Sequence, residues 1–367
     1  MEKLRALLGR IFPAAMSDKK RILIAGPVFP PAGGVSIHLK RLFDFFSGSF
    51  DIDFADESRT IKPGIFNIRS FRPGTYIKLI FESELVFIHS GSQLLRFIHI
   101  LIARLFQKPV LLTFHSYPVT RHGFAKKLES FFLARVNKII AVNEIIAKRI
   151  NLPEKTIVRH AFLPPILSME PELPEFIRKW IDNKREEGCQ LVCCNASQLV
   201  KFKGEDLYGL DLCIELARRW KLQNMKLAIV FVVSSLEKNE EYYNESAAKV
   251  ISLGISDLFL LVKEPVSFVS LIRHSDIVCR PTMSDGDSLT VREAIAFSKP
   301  VVVSDAVERP EGSILFRSRD INDLEKVIAQ TVNEKLDGLK KETVSFDGYY
   351  KPYEILFNEL MAGKKYE

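Results

Sequence analysis

From Arg21 onward, short runs of β-branched and apolar residues alternate with stretches whose apolar positions recur at helical spacing, and nothing else in the chain narrows its fold as much. Strands apolar on both faces need cover on both, which crossover helices supply when the strands run parallel. In the first half the strand candidates are RILIAG (21–26), FDIDFA (50–55), LVFIHS (85–90), VLLTFH (110–115), KIIAVN (138–143) and TIVRHA (156–161). The proline-rich stretch LPPILSMEPELPEF at 163–176 reads as a linker. The alternation then resumes with LVCCNAS (191–197), KLAIVFVVSS (226–235), LFLLVKE (258–264), DIVCRPT (276–282) and PVVVSD (300–305). A chain of 367 residues, 47% hydrophobic, can fill two cores, so two doubly wound α/β domains are expected. Ligands of such sheets bind at the carboxyl ends of the strands, which makes a cleft between the domains the expected site.

Charge is unevenly spread. Residues 1–165 hold 25 Lys+Arg against 12 Asp+Glu, net +13, which leaves −6 for the rest of a chain whose net charge is +7. A basic first half suits phosphate groups, nucleic acid or an anionic bilayer. Nucleic acid is set aside because no recognition motif occurs and the basic residues are spread over several elements. The five cysteines, Cys189, Cys193, Cys194, Cys213 and Cys279, have no metal-ligand spacing and read as buried thiols of a reducing compartment. LLRFIHILIARLF at 94–106 is too short and too charged to span a bilayer. Residues 1–20 form an amphipathic basic leader, with Leu4, Leu7, Leu8, Ile11 and Phe12 on one helical face. Three readings of it stand: docking on an anionic membrane, worth about 1 kcal/mol per basic residue, packing on its own domain, or a disordered leader.

Three stretches carry chemistry. After the first strand, GPVFPPAGGVS sets Gly33 and Gly34 before a helix starting near Val35, where backbone can approach a ligand and unpaired amides can receive an anion. The chain lacks both GxGxxG at this point and a P-loop GK[ST]. In the second half, NASQLVKFKGEDLYGLD leaves a strand through Lys201, Lys203 and Gly204, and a nucleotide diphosphate held without metal needs such basic side chains, because a helix N-terminus offers only about half a charge. Finally, in RPTMSDGDSLTVREAIAF, Asp285 stands at a strand's carboxyl end and Glu293 about one turn into the following helix, with the amides of Gly286, Asp287 and Ser288 between them. Carboxylates grip hydroxyls and amides grip phosphate, a combination suited to a hydroxyl-rich phosphate ester. Two other readings of the stretch compete: Thr290 to Glu293 fits a helix capping box, and Asp285-Gly286-Asp287 is a D-x-D, like Asp51-Ile52-Asp53, that would hold a divalent cation.

Taken in order, PPAGGVS, LLTFHS, KFKGEDL and D-x7-E followed by SKPVVVSD resemble the motifs of family 4 retaining glycosyltransferases of the GT-B fold, over nearly the whole chain from Arg21. The resemblance implies two Rossmann-like domains facing each other across a cleft: an acceptor-side domain (21–165) joined by a C-terminal helix (346–367), and a nucleotide-sugar-binding domain (166–345). It implies that Glu293 holds the ribose hydroxyls, Asp285 the donor-sugar hydroxyls, and the backbone of Gly286, Asp287, Ser288, Leu289 and Thr290 the sugar and diphosphate. Lys203, with Lys201, would neutralise the diphosphate, Gly33 and Gly34 would close over it, and His115 would approach the sugar, making Asp285, His115 and Lys203 the catalytic set. No metal or other cofactor is implied. The chain departs from the family pattern in three places: Asp285 replaces a glutamate, Gly286-Asp287-Ser288 replaces an aromatic-glycine loop, and Gln198 stands where an arginine is usual.

The expected function is transfer of a hexose-type sugar, with retention, from a UDP- or GDP-linked donor to a glycan or lipid-linked acceptor in O-antigen- or capsule-type polysaccharide biosynthesis. Expected localisation is cytoplasmic and peripheral to the inner face of the cell membrane. RHGFAKKLESFFLARVNK at 121–138 interleaves basic residues with Phe124, Phe131 and Phe132 and would receive the lipid-linked acceptor, or else pack as an ordinary amphipathic helix. Two alternatives stand beside this function: a metal-dependent sugar transferase using Asp285 and Asp287, and a noncatalytic GT-B binding module.

Overall fold

The computed structural model describes residues 18–30, 33–117, 123–235, 239–264, 266–285, 287–336 and 347–363. Gly286, most of the 1–20 leader and residues 121–122 of the basic-aromatic segment therefore lie outside the described residues. The chain divides into two compact units, Met1–Leu163 with Phe346–Glu367, and Pro164–Ser345.

The first unit runs β1 (Arg21–Gly26), α1 (Gly34–Phe46), β2 (Asp51–Asp56), β3 (Phe66–Asn67), α2 (Pro73–Glu82), β4 (Leu85–Ile88), α3 (Gln93–Leu105), β5 (Val110–Phe114), α4 (Gly123–Leu133), β6 (Lys138–Ala141), α5 (Glu144–Ile150) and β7 (Thr156–Val158). The seven strands pair in the order β3-β2-β1-β4-β5-β6-β7, every pair parallel. One face is covered by α2, α3, α4 and α5 through Ile80, Ile100, Leu133 and Ile146. The opposite face is covered by α1, through Leu39, Leu42 and Phe46, and by the C-terminal segment from Tyr350 to Leu360.

The second unit continues with α6 (Glu175–Glu186), β8 (Gln190–Gln198), β9 (Lys201–Phe202), β10 (Glu205–Asp206), α7 (Leu210–Leu222), β11 (Leu227–Ser235), α8 (Glu240–Ser252), β12 (Phe259–Val262), α9 (Phe268–His274), β13 (Ile277–Arg280), α10 (Leu289–Ala296), β14 (Val301–Ser304), β15 (Ile314–Phe316) and α11 (Ile321–Leu336). The chain then ends in α12 (Asp347–Met361), which belongs to the first unit. The second sheet is ordered β12-β11-β8-β13-β14-β15, again parallel throughout. Trp220, Tyr243 and Leu324 pack one face, and Ile177, Leu271 and Val291 the other.

Both sheets thus follow one plan. The chain builds two strands outward from a central strand, then crosses over and builds from its other side. This creates a switch point at β1/β4 in the first unit and at β8/β13 in the second, where the loops leaving two neighbouring strands part in opposite directions and leave a crevice at the carboxyl edge. The apolar alternation shows the strands, but four short ones escaped it: β3, β15 and the hairpin strands β9 and β10 have two or three residues each, too few for a period. None of the described helices is long and apolar enough to cross a membrane. All five cysteines are buried.

Candidate active site

At the β8/β13 switch point, Arg280 ends β13 with its side chain 9% exposed. Its Nε donates to Asp285 Oδ2 at 2.8 Å, and its Nη1 donates to the Asn195 carbonyl at 3.1 Å and to Asn195 Oδ1 at 2.9 Å. A second guanidinium, Arg309, donates to the same Asp285 Oδ2 at 3.3 Å and to the hydroxyls of Thr282 and Ser304, both at 3.0 Å. Thr290, in the first turn of α10, completes the set by donating to Asn195 Oδ1 at 3.3 Å. Two cations thus share one carboxylate in a largely buried network, leaving one net positive charge at the strand edge.

Asp285, expected to meet the donor-sugar hydroxyls, is already engaged within the protein. Its side chain is 13% exposed and turned onto the two arginines. Asp287 is exposed, but Arg292 Nε donates to it at 2.5 Å. Both acids of the D-x-D therefore face arginines, Asp285 two of them and Asp287 one.

The capping-box reading also fails. The N-cap of α10 is Ser288, with no side-chain cap bond, and Thr290 lies inside the helix with its hydroxyl on Asn195. Glu293 is 5% exposed on α10, Ser288 8%, and Leu289 is half-buried.

The lysine stretch is a two-residue hairpin rather than an open loop. Lys201-Phe202 pairs antiparallel with Glu205-Asp206. Lys203 (φ 53°) and Gly204 (φ 86°) form the turn. Positive φ at both central residues is the I′ geometry that matches strand twist, and it projects Lys203 at the tip. Both lysines are exposed, Lys201 Nζ lying 5.2 Å from the Tyr242 ring and Lys203 Nζ 5.4 Å from that of Phe202.

This hairpin is fastened to the acidic loop. Met283 N donates to the Leu207 carbonyl at 2.9 Å, and the Arg280 guanidinium lies 5.2 Å from the Tyr208 ring. Gly209 has φ 72°, and a Cβ there would meet the Pro281 carbonyl oxygen at 2.7 Å. Buried Asp206 accepts from the amides of Tyr208 and Gly209 and from the Tyr242 hydroxyl.

In the first unit, Gly33 caps α1 in an extended conformation with no side-chain cap, and Gly34 opens the helix. A Cβ on Gly34 would meet nothing within 4 Å, and one on Gly33 only Ser36 Oγ at 3.7 Å. His115 follows β5 and His89 follows β4, with His89 Nδ1 and His115 Nε2 at 2.9 Å. His38 of α1 packs against both, its Nδ1 2.6 Å from the Ala161 carbonyl. Burial pushes the His38 pKa down to about 4 and that of His115 to about 3, and holds His89 well below its usual range, so the three rings are neutral at pH 7.

Sequence reasoning missed Asn195, Arg280, Arg309, His38 and His89 as site residues. An arginine closing an otherwise apolar strand marks Arg280, and a strand-end histidine marks His89 as it marked His115. Arg309 carries no such signal, because it reaches the site from the β14–β15 connection. The 121–138 segment is partly described. In α4, Phe132 stacks on Phe97 at 4.2 Å while Phe131 is exposed with Arg135 over its ring.

No protein-family model matches the chain. It is 25% identical over 238 residues to an uncharacterized glycosyltransferase of Haemophilus influenzae, a match covering 62% of this chain and 60% of that relative's length. Among solved structures it resembles Anabaena HepE in complex with UDP and glucose, with a TM-score of 0.59, 12% identity, 94% of this chain covered and 100% of that one. It also resembles a glycosyltransferase from Rickettsia africae, with a TM-score of 0.61, 15% identity, 95% of this chain covered and 97% of that one. The fold is therefore GT-B, built from two Rossmann-like α/β domains.

Proposed function

We propose that the chain is a glycosyltransferase of the family 4 type that moves a hexose from a UDP- or GDP-linked donor, with retention, to a glycan or lipid-linked acceptor. The observation that carries this reading is the Arg280–Asp285–Arg309 network at the switch point of the second sheet, flanked by the N-terminus of α10 and by the lysine hairpin. Positive charge, backbone amides and carboxylates converge there within one unit, as a sugar diphosphate requires.

In this reading Glu293 holds the ribose hydroxyls. Asp285 Oδ1, which receives only the longer 3.3 Å bond from Arg280 Nη2, keeps acceptor capacity for a sugar hydroxyl. Lys203 and Lys201, with the amides from Gly286 to Thr290, take the diphosphate, and the two arginines supply charge that Gln198 lacks. Gly33 and Gly34 would bring the N-terminus of α1 to phosphate, a role supported by the lack of any packing demand for glycine at Gly34, where a Cβ would meet nothing within 4 Å. In the first unit, which this reading assigns to the acceptor, His115 after β5 is the residue taken to serve the reacting sugar. As the glycosidic bond breaks and the sugar passes through an oxocarbenium-like state, negative charge grows on the leaving diphosphate. Removing one donor that meets such charge costs about 2.7–4 kcal/mol. A site on the inner face of the cell membrane and a role in surface polysaccharide assembly belong to this proposal, supported by the basic first half of the chain.

Ligand-observed NMR over UDP-, GDP- and dTDP-sugars, followed by mass-spectrometric detection of sugar transfer without added Mg2+ or Mn2+, tests the proposal. Saturable binding of one donor class is expected, weakened about 10-fold or more in Glu293→Ala. Transfer that depends on Mn2+ and is lost in Asp287→Asn would favour the metal-dependent alternative. Donor binding without hydrolysis or transfer would favour the noncatalytic one. Folded protein that binds no nucleotide sugar ends the proposal.

A further inference from the structure

We propose that His38, His89 and His115 form a binding site for a borderline transition-metal dication of the Zn2+ type, in the first unit and apart from both D-x-D stretches. One ring nitrogen from each of the three lies within 4.8 Å of the other two, the only such group of His, Cys, Asp or Glu among the described residues. Ring centroids are 5.1–5.3 Å apart, so the imidazoles surround a common point instead of stacking. A tetrahedral ion about 2.1 Å from each nitrogen sets those nitrogens roughly 3.4 Å apart. The 2.9 Å between His89 Nδ1 and His115 Nε2 needs to open by about half an ångström to fit.

Within this cluster, His38 Nε2 and His89 Nε2 are buried with no hydrogen-bond partner among the described residues. Leaving a buried polar atom unpaired is destabilising, because its hydration is lost and nothing replaces it. A lone pair aimed at a metal removes that cost for His38. Its Nδ1 is committed to the Ala161 carbonyl, the outer contact that fixes the tautomer and presents Nε2 as the ligand. Burial keeps the rings unprotonated, so their lone pairs are available at neutral pH. Arg41 lies near enough to depress the His38 pKa further, and a dication beside it leaves an excess of positive charge. The open fourth position therefore favours an anionic oxygen, hydroxide or a phosphate or carboxylate oxygen of a ligand. Three histidines on α1, after β4 and after β5 are far apart in sequence and show no ligand spacing.

The full chain, stripped with chelator and titrated with Co2+ alone, provides the test, read by visible absorption. One equivalent giving the intense d–d bands of a tetrahedral nitrogen site, bleached by one equivalent of Zn2+ and retained through gel filtration, is expected. His38→Gln and His89→Gln, each checked for native circular dichroism, should weaken uptake by more than the roughly 10–100-fold that loss of an outer contact costs. Octahedral pink Co2+ that washes off the wild-type chain overturns the proposal, and that measurement needs no variant. Uptake that persists in both histidine variants and disappears in Asp287→Asn overturns it as well. Because the readout is metal uptake, its failure leaves the glycosyltransferase reading untouched, and the reverse holds too.

Discussion

At the scale of single residues, the site is held by buried polar groups whose partners come from distant parts of the chain. Asp285 is the clearest case, since its carboxylate locks Arg280 of one strand end to Arg309 of a later connection. Asp56 does comparable work in the first unit. It is fully buried and accepts from the Val28 and Ser58 amides, from the Ser58 hydroxyl and from the Lys62 ammonium at 2.7 Å, fixing the segment after β2. Burial alone would raise its pKa, but the Lys62 ammonium and the Val28 and Ser58 donors outweigh burial and hold it below its ordinary 3.8. A carboxylate whose folded pKa is depressed stabilises the fold above its unfolded pKa, and that contribution disappears as pH falls through the folded value. Asp56→Asn should therefore cost about 3 kcal/mol at pH 7, because it leaves Lys62 buried without a counter-charge. The gap from wild type should narrow below pH 4 in urea titrations followed by circular dichroism; a gap constant down to pH 2 would contradict the assignment.

Among elements, the β9–β10 hairpin separates two properties that one motif combines. Lys203 contributes a charge, and the Lys203-Gly204 pair contributes a turn with positive φ at both positions. Lys203→Asn keeps the turn, since asparagine tolerates the left-handed region, and removes the charge. It should lower donor affinity about 10-fold or more with little change in melting temperature, as expected for loss of a hydrogen bond to a charged group worth about 1.5–3 kcal/mol. Gly204→Ala should do the opposite at first, costing about 1 kcal/mol of local stability at φ 86° while leaving the charge in place. Titration calorimetry alongside thermal melts of both variants distinguishes the effects. A lysine that acts only by shaping the turn would show no affinity loss in Lys203→Asn.

The molecule as a whole is two units, each a three-layer sandwich with its own pair of apolar clusters. Phe357 of α12 is 1% exposed in the first unit, where truncation to alanine should cost about 3–5 kcal/mol. In the second, Gly209→Ala combines a left-handed φ with a clash on Pro281, for a cost of about 2 kcal/mol or more. If the cores are independent, the Phe357→Ala/Gly209→Ala double variant should lose the sum of the single losses within about 0.5 kcal/mol in urea unfolding. A larger departure would show coupling between the units. Legibility followed the range of the interaction. The sequence by itself determined the two domains' worth of alternating strands and helices, because alternation and periodicity are local, and it named Asp285, Lys203 and His115 because glycines, strand ends and helix starts punctuate locally too. Only the tertiary structure decided the strand order that makes β1/β4 and β8/β13 the crevices, the turning of Asp285 onto two arginines, and the gathering of His38, His89 and His115 around one point. Those depend on which strands become neighbours and on which buried charges must then find partners, conditions that residues far apart in the chain satisfy only once the sheets have formed.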